Sequence, residues 1–320
     1  MSHETLSIAL LPALEGDCIH IIYTNAAGVR RHIVVDSGPA AFAAGFSALL
    51  AEIKAQGEQV DLLCFSHIDN DHIGGAEQLA VRGELEKRLI RKVLFNIVGV
   101  KSAESEAEPG SNLYSAASAS RLTKGLLDAG IPVRKRVVSG MLISEADCML
   151  RILAPDGEAL AKLHQVWQMP LQEQYGTGRD QSITNGASIA FVLEAAGKRL
   201  ALLGDSTPEQ LERGLKRCCP AGLHVDAVKL PHHGSSYNIN ENILKMIHTN
   251  RYLISTKRVG NRPDKALIEL LYNHHQGKPI TVYGNYPWWE GDFYTSAEQG
   301  KYIESGAIVH CLTGKEGILL

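Results

Sequence analysis

The sequence predicts an α/β fold in which short buried strands alternate with amphipathic helices. Three observations support this prediction. Short continuous apolar runs recur along the chain, as is typical of strands that are covered on both faces. Many of these runs are followed by apolar residues at helical spacing. The 320 residues, of which 45% are hydrophobic, are enough for one large core, and we expect a single domain over residues 1–320 with insertions.

The first third of the chain is predicted to form a β-meander followed by a helix and a buried strand. The meander strands are predicted at 6–11, 18–23 and 32–36, because these apolar runs are separated by turn residues. Apolar side chains at helical spacing predict a helix over 40–56, and the apolar run 60–65 predicts a strand. The elements predicted after these are helices at 75–89, 117–128, 208–217 and 241–247 and strands at 91–100, 149–153, 187–194, 200–203 and 226–230.

Two polar segments are predicted to be insertions in this domain. Residues around 101–120 are rich in Ser, Ala and Glu and are predicted to form an exposed loop without a chemical role. Residues 156–184 separate two predicted strands and carry Trp167, Tyr175 and Arg179. Because long insertions often cover active sites, we expect the second segment to gate the site.

The composition excludes several classes of protein. With 32 basic and 35 acidic residues, the chain lacks the charge of a non-specific nucleic-acid binder, although a local basic groove is compatible with it. No apolar run approaches the roughly 18 residues of a membrane-spanning helix, and the first residues do not resemble a signal peptide. The six cysteines lack the spacing of a metal knuckle, so we expect them to be reduced. These features predict a cytoplasmic protein without membrane association.

The densest group of chemically reactive side chains follows the predicted strand 60–65. Four potential metal ligands lie within six residues: His67, Asp69, Asp71 and His72. Imidazole and carboxylate ligands bind divalent ions at about 2.0–2.2 Å. His67 and Asp69 suit one ion, whereas Asp71 and His72 are adjacent and point in different directions in an extended backbone, so they suit a second ion. The glycines at 74–75 are predicted to let the loop turn around the ions before the helix begins.

Two later strands also end in potential ligands. Asp205 follows the predicted strand 200–203, and His232 and His233 follow the predicted strand 226–230. Because ligand-bearing loops gather along one edge of an α/β sheet, we expect the three motifs to converge. Asp205 suits a carboxylate that bridges two ions, although an aspartate before Ser-Thr-Pro is also typical of a helix cap. One histidine of the pair is expected to be a ligand, and the sequence does not distinguish which.

The predicted chemistry is hydrolysis by two divalent ions, Zn²⁺ or Mn²⁺, that bind a shared water and lower its pKa. Asp71 and Asp205 are predicted to position the resulting bridging hydroxide. The spare member of the His232 and His233 pair is predicted to stabilise charge or protonate the leaving group.

The first motif resembles the signature of a known family. Residues 67–72 with Gly74 and Gly75 look like the signature of the metallo-β-lactamase superfamily, with aspartate in place of its second histidine. Residues 34–38 resemble the early strand whose aspartate, here Asp36, supports the metal loop without binding the metal itself. Gly204 with Asp205 resembles the segment that supplies the bridging carboxylate. The resemblance implies a four-layered αββα sandwich with a dinuclear metal site at one edge.

Other segments resemble one branch of this superfamily, which contains the hydrolase domain of the ComEC and Rec2 competence proteins. They are Asn185 and Ser188 before an apolar strand, and residues 231–235. Many superfamily members have a further histidine ligand before the bridging aspartate. Here the interval holds only His164, in a polar insertion, and Asn185 or Ser188 is expected to occupy the space. Asn261 is followed by Arg-Pro, whereas the branch tends to have His-Pro shortly after an asparagine.

The resemblance favours a phosphodiester substrate, either in nucleic acid or in a nucleotide. Lys229, Ser235 and Ser236 are predicted to contact phosphate oxygens, and Asn185 and Ser188 complete the predicted substrate-binding set. The alternative for the two later serines is ordinary turn chemistry, and for Lys229 an exposed strand position. An aromatic group is compatible with base stacking or with a place in the core or a partner-binding patch: Tyr286, Trp288, Trp289, Phe293 and Tyr294.

Two other functions remain open from the sequence. The same ions are compatible with hydrolysis of a carboxylic ester, lactone, thioester or β-lactam in a pocket gated by residues 156–184. The chain is also compatible with a metal-binding regulatory or interaction subunit that has little turnover and acts as a homodimer or with a partner protein.

Overall fold

The computed structural model of this chain describes residues 5–97, 112–168, 180–258 and 260–320. The strands are β1 (Thr5–Leu10), β2 (Ile19–Thr24), β3 (Arg30–Val35), β4 (Leu62–Cys64), β5 (Val93–Leu94), β6 (Val133–Arg134), β7 (Leu142–Glu145), β8 (Cys148–Ala154), β9 (Ala190–Ala195), β10 (Lys198–Leu202), β11 (Leu223–His224), β12 (Ala227–Lys229), β13 (Ile247–His248), β14 (Arg251–Ile254), β15 (Ile280–Gly284), β16 (Ile308–Leu312) and β17 (Ile318–Leu319). The α-helices are α1 (Ala43–Ala55), α2 (Asn70–Val81), α3 (Asn112–Asp128), α4 (Gly157–Gln168), α5 (Asp180–Gly186), α6 (Pro208–Cys218), α7 (Glu241–Met246), α8 (Lys265–His274) and α9 (Ser296–Glu298).

Two mixed sheets hold most of these strands. Within the described residues, seven strands form one sheet in the order β17-β1-β2-β3-β4-β5-β6, and eight form the other in the order β16-β15-β14-β12-β10-β9-β8-β7. The predicted meander β1-β2-β3 is antiparallel, and β3 then pairs in parallel with β4. In the second sheet, β10, β12 and β14 are parallel neighbours. The carboxyl ends of these parallel strands therefore lie side by side.

The packing of alternate side chains shows four layers. In β4, Leu62 and Cys64 pack between the two sheets, whereas Leu63 packs against α1, α2 and α3 on the outer face. In β10, Leu202 packs between the sheets, whereas Ala201 packs towards α6, α7 and α8. Each sheet therefore has one face on the shared core and one face under helices, because successive side chains of a strand point to opposite faces. The predicted αββα sandwich is confirmed.

The helix after the first motif begins earlier than the sequence predicted. Helix α2 begins at Asn70 rather than at residue 75, and Asp69 takes the extended N-cap position. A carboxylate such as that of Asp71 is stabilised in the first turn by the positive end of the helix dipole. The prediction that Gly74 and Gly75 shape a loop is wrong, since both lie inside the helix. They are needed there because a Cβ at either position would lie 2.2–2.3 Å from backbone atoms of the loop that follows β3.

The predicted insertions lie partly outside the described residues. Residues 98–111 fall outside, whereas the remainder of the 101–120 segment belongs to α3, which begins five residues before the predicted position 117. Residues 169–179, including Tyr175 and Arg179, also fall outside. The described parts of the 156–184 segment are helical and belong to α4 and α5. Among the helices of the described ranges, none combines the length and hydropathy that crossing a membrane requires.

Candidate metal centre

Three strand ends bring the predicted ligands to one place. The chain leaves β4 at Cys64 and presents His67 and Asp69 before α2 begins, so Asp71 and His72 lie in the first helical turn. Asp205 and the histidine pair follow β10 and β12. The hydrogen bond from His232 N to Gly204 O, at 3.0 Å, joins these last two loops.

The Asp205 carboxylate is at the centre of the cluster. Its Oδ2 atom lies 3.8 Å from His67 Nε2, 3.5 Å from His72 Nε2 and 3.7 Å from His232 Nε2. The side chain is only 3% exposed, and its Oδ1 atom has no hydrogen-bond partner among the described residues. A buried carboxylate facing three imidazoles is well placed to bridge two ions.

The remaining carboxylates extend the cluster on two sides. Asp69 Oδ2 lies 3.5 Å from His67 Nε2. On the other side, Asp71 Oδ2 lies 3.6 Å from His72 Nε2 and 3.1 Å from His233 Nε2. Two ligands bound tetrahedrally at about 2.1 Å from one ion are roughly 3.4 Å apart, which is close to these separations. The geometry therefore suits one ion near His67 and Asp69 and a second near Asp71.

The hydrogen bonds of the imidazoles leave every Nε2 atom of the cluster directed inward. His72 Nδ1 lies 2.8 Å from Asp36 Oδ2, and His233 Nδ1 lies 2.9 Å from Ser255 O, so both Nδ1 atoms donate protons. The lone pair of each neutral ring is then on Nε2, the arrangement that metal-binding histidines show. His72 Nε2 is buried and, among the described residues, has no hydrogen-bond partner. A divalent ion would satisfy this atom.

Asp36 and Ser66 support two of the rings together. Asp36 accepts hydrogen bonds from Ser66 N and Ser66 Oγ, both at 2.7 Å. The Ser66 hydroxyl proton is used in this bond, so Ser66 Oγ accepts from His67 Nδ1 at 3.0 Å. His67 Nε2 is thereby left with its lone pair, and it also lacks a partner among the described residues. Asp36 therefore joins the residue before the first motif to His72.

Both members of the histidine pair face the cluster, although only one was expected to be a ligand. Adjacent side chains diverge in an extended backbone, but His232 and His233 have φ values of 50° and 55°, in the left-handed region. This uncommon backbone turns both rings towards the carboxylates. His233 is buried and contacts Asp71, whereas the His232 side chain is 15% exposed and contacts Asp205. Asn238 Oδ1 accepts from His232 Nδ1 at 2.9 Å, which leaves His232 Nε2 as an acceptor.

The charges of the cluster are strongly coupled. Burial alone would lower the pKa of His72, but the carboxylates of Asp205, Asp71 and Asp36 raise this pKa well above its ordinary value. Burial would raise the pKa of Asp205, but His72 and the other imidazoles hold it well below its usual range. Without ions, protons on the imidazoles balance the carboxylates. Divalent ions can replace those protons because they bind the same atoms.

Lys229 does not take either of its predicted positions. Its side chain is 1% exposed, so the exposed strand position is wrong. Its Nζ atom donates to Asp17 Oδ2 at 2.8 Å and to Leu230 O at 3.1 Å, so it is engaged within the protein. Asp17 Oδ1 in turn lies 3.5 Å from His233 Nδ1. Burial would raise the pKa of Asp17, but Lys229 and His233 lower it. Asp17 and Lys229 therefore form a buried ion pair next to the site.

The predicted substrate-binding serines make hydrogen bonds within the protein. Ser188 is fully buried, and its Oγ atom accepts from Asp205 N at 3.0 Å, so it helps to position Asp205. Ser235 Oγ accepts from Tyr237 N, and Ser236 donates from N and Oγ to Asp264. These contacts of Ser235 and Ser236 are the ordinary turn contacts that were the alternative to phosphate binding. Asn185 is 6% exposed, and its Oδ1 has no partner among the described residues.

Two other expectations concern residues away from the cluster. His164 belongs to none of the groups of potential ligands found among the described residues. Trp288, Phe293 and Tyr294 are at most 7% exposed and belong to the outer core of the second sheet. These three rings are therefore core residues rather than a platform for bases.

Sequence reasoning missed four residues that build the site: Asp17, Ser66, Asn238 and Ser255. A signal for Asp17 exists, since Gly16 and Asp17 interrupt the apolar meander, and a Cβ on Gly16 would lie 1.9 Å from Asp71 O. Ser66 directly precedes the first ligand. Asn238 and Ser255 carry no distinguishing pattern, because their role depends on tertiary contacts.

Comparison with known proteins gives one family match. Residues 23–139 match the family model described as "Metallo-beta-lactamase superfamily". The chain is 22% identical over 237 residues to ComE operon protein 3 of Bacillus subtilis (strain 168). This alignment covers 73% of the chain but 25% of the relative, so the chain spans about a quarter of the length of that protein.

The chain is also similar to solved structures. The metallo-beta-lactamase fold protein YhfI from Bacillus subtilis is 8% identical with a TM-score of 0.47, over 98% of this chain and 99% of that one. The zinc-bound PqqB from Methylobacterium extorquens is 12% identical with a TM-score of 0.43, over 94% of this chain and 86% of that one.

Proposed function

We propose that the chain is a metal-dependent hydrolase of the metallo-β-lactamase superfamily, which holds two divalent ions and cleaves a phosphodiester. The match of residues 23–139 to the model of that superfamily supports this proposal. The ions are Zn²⁺ or Mn²⁺, since a set rich in carboxylates suits hard and borderline ions alike. The substrate is a nucleic acid or a nucleotide. When bound, such ions lower the pKa of a coordinated water and polarise the scissile group.

The observation that carries this proposal is the position of Asp205. Its Oδ2 atom lies within 3.8 Å of three imidazole Nε2 atoms, and Asp69 and Asp71 flank the cluster on opposite sides. In a salt-bridge network with a purely structural role, the side-chain atoms that face the centre would be hydrogen-bonded to one another. Here the inward atoms of His67 and His72 have no partner among the described residues. A buried polar atom without a hydrogen-bond partner is costly, and bound cations would remove that cost.

His232 is the histidine best placed to move a proton. It is more exposed than His67, His72 or His233, and Asn238 fixes its ring with Nε2 towards Asp205. Burial lowers the pKa of His232, so this ring is neutral at neutral pH and can accept a proton from water at Nε2. Asp205 and Asp71 hold the ions and orient the attacking oxygen.

The electrostatics of the open side favour an anionic substrate. Burial lowers the pKa of His232 and Asp205 raises it, while the positive charge of Arg262 also lowers it. Two bound cations and this arginine would together stabilise the additional negative charge that develops on a phosphodiester during attack. The resemblance of the motifs to the competence-protein hydrolase branch supports the same substrate class.

The experiment compares substrate classes after metal reconstitution. Purified protein is depleted of metal, reloaded with Zn²⁺ or Mn²⁺, and assayed on a chromogenic phosphodiester, a carboxylic ester and a β-lactam. We expect phosphodiester hydrolysis that falls by more than about 100-fold in Asp71→Ala and His72→Ala, exceeding the 10- to 100-fold effects of outer residues. The matched controls, Asp292→Ala and His224→Ala, remove exposed side chains of the same types and are expected to keep activity.

Each alternative function has its own outcome in this assay. Preferential hydrolysis of the ester or β-lactam, lost in the same two variants, would replace the phosphodiester proposal. Full metal occupancy without turnover on any class would favour a regulatory subunit that acts as a homodimer or with a partner protein.

A further inference from the structure

A groove opens beside the metal centre on its His232 side. Its volume is about 570 Å³, and it is lined by residues 235–237 on one wall and by residues 260–262, Asp264 and Ala266 on the other. This volume lies within the range of about 300–1,000 Å³ that is typical of small-molecule sites. The metal ligands themselves do not line it, so the groove is a separate subsite.

The groove is fixed rigidly to the metal centre. Asn238 ends the wall at 235–237, accepts from His232 Nδ1 and donates to Asp205 O at 3.2 Å. Asp264 joins the two walls, since its Oδ2 atom accepts from Ser236 N at 2.7 Å and from Ser236 Oγ at 2.8 Å. Its own N–H donates to Gly234 O at 3.1 Å. A group bound in the groove would therefore have a fixed distance to the ligands.

Tyr237 presents an unusually exposed aromatic ring to this groove. Its exposed fraction is 87%, the highest among the large apolar side chains of the described residues. The backbone beneath the ring is held, because Ser235 Oγ accepts from Tyr237 N at 3.3 Å. A ring on a fixed backbone loses little entropy when a flat ligand stacks on it, so this geometry suits base stacking.

Arg262 supplies the positive charge of the same groove. Its side chain is half-buried, and within the described residues no carboxylate lies in ion-pair distance of its guanidinium. The nearby Arg258, by contrast, is paired with Asp292 at 2.6 Å. An unpaired guanidinium suits a phosphate, whose oxygens it can bind in a bidentate manner.

We infer that the groove binds one nucleotide unit of the substrate, with its base stacked on Tyr237 and its phosphate on Arg262, so that the adjoining phosphodiester reaches the metal centre. This inference rests on the proposed function. The shared chemistry is a phosphate beside a nucleobase, which a free nucleotide or a single strand of nucleic acid can supply.

The test measures binding without cleavage. The metal-loaded protein is titrated into a fluorescent single-stranded oligothymidylate with phosphorothioate linkages, which resist hydrolysis, and anisotropy gives the affinity. We expect Tyr237→Ala to weaken binding roughly 5- to 160-fold, the range for loss of one stacked base, and the matched variant Tyr237→Phe to bind within about 2-fold of wild type. Melting temperatures of both variants verify that the fold is kept.

Two further measurements separate the contribution of the base to binding from that of the phosphate. On an abasic strand of equal length, wild type and Tyr237→Ala are expected to bind equally, because no base is present to stack. Arg262→Gln is expected to weaken binding of both strands and to reduce the slope of log affinity against log salt by about 0.7. Competition by thymidine 5′-phosphate that depends on Tyr237 would indicate a free nucleotide as the source, whereas failure to compete would indicate a strand.

The outcomes distinguish the groove from the proposed function. Unchanged oligothymidylate binding in Tyr237→Ala, or an equal loss on the abasic strand, would overturn the inference. Hydrolysis of a small base-free phosphodiester tests the proposed function alone. If that hydrolysis is absent while base-dependent binding is present, the proposed function is refuted and the inference about the groove is supported.

Discussion

The support of His72 by Asp36 leads to a quantitative prediction for Asp36→Asn. Asp36 has a φ of 60°, a left-handed conformation that asparagine tolerates better than most residues, so the substitution preserves the backbone. The wild-type carboxylate accepts three hydrogen bonds, from Ser66 N, Ser66 Oγ and His72 Nδ1. An amide has a single oxygen and cannot accept all three in this geometry.

The expected consequence is a changed histidine tautomer. If the oxygen of the substituted amide keeps the bond to Ser66 N, the NH₂ group of that amide faces His72 Nδ1, which must then become an acceptor. The His72 proton moves to Nε2, the atom that faces Asp205 at 3.5 Å. In the wild type, an ion that replaces the Nε2 proton leaves the other ring proton on Nδ1, where Asp36 accepts it. In the variant, binding of an ion at Nε2 would force a proton onto Nδ1, where it would face the NH₂ group of the amide. We expect the affinity for Zn²⁺ to fall by 10- to 100-fold, or about 1.4–2.8 kcal/mol.

The assay is competition for Zn²⁺ between the protein and a chromogenic chelator at fixed pH, with circular dichroism to verify folding. Ser66→Ala serves as a milder variant for comparison. It removes the acceptor of His67 Nδ1 but leaves the hydrogen bond between Asp36 and His72. We expect it to weaken binding less than Asp36→Asn. A folded Asp36→Asn variant that binds Zn²⁺ within about 2-fold of wild type would refute this account of tautomer control.

Three other predictions concern neighbouring residues. His233→Gln is expected to lose most Zn²⁺ affinity, whereas His232→Gln is expected to lower kcat more than Zn²⁺ affinity; equal losses of affinity in the chelator assay would contradict these roles. Burial would lower the pKa of His233, but Asp17 and Asp71 raise it from 6.5 to about 9, so its stabilising effect is complete below pH 6.5 and is lost as the pH rises through 9. The melting temperature of metal-free protein should therefore fall from pH 7 to pH 9 while stabilisation by Zn²⁺ grows, and a flat profile would refute the assignment. Gly75→Ala should cost about 1–3 kcal/mol in urea unfolding, because the new Cβ would meet Ser37 O at 2.2 Å, whereas Gly186→Ala meets no atom within 4 Å and should change stability by less than about 0.5 kcal/mol.

The sequence predicted the layers and the convergence of the ligands because both depend on local pattern. Apolar runs such as 60–65 become strands buried on both faces, and polar residues that end parallel strands meet at one sheet edge. Asp205 shows why the motifs had to be considered together. Considered alone, its sequence context is typical of a helix-cap residue. The structure instead places Thr207 at the N-cap of α6 and directs Asp205 to the imidazoles.

Contacts between distant segments could not be predicted in the same way. The start of α2 depends on its packing against the loop after β3, where Gly74 and Gly75 permit close approach. Lys229 is separated from Asp17 by 212 positions, and a lysine on a strand is ordinarily exposed. The paired orientation of His232 and His233 depends on two left-handed residues in succession, which histidine seldom adopts.

The most direct test of two ions held around Asp205 is anomalous X-ray diffraction from crystals of the metal-loaded protein, measured at the absorption edge of the added ion. We expect two peaks that share the Asp205 carboxylate, one bounded by His67 and Asp69 and the other by Asp71, His72 and His233. Anomalous peaks elsewhere on the chain, with none between His67 and His233, would contradict a dinuclear centre at this site.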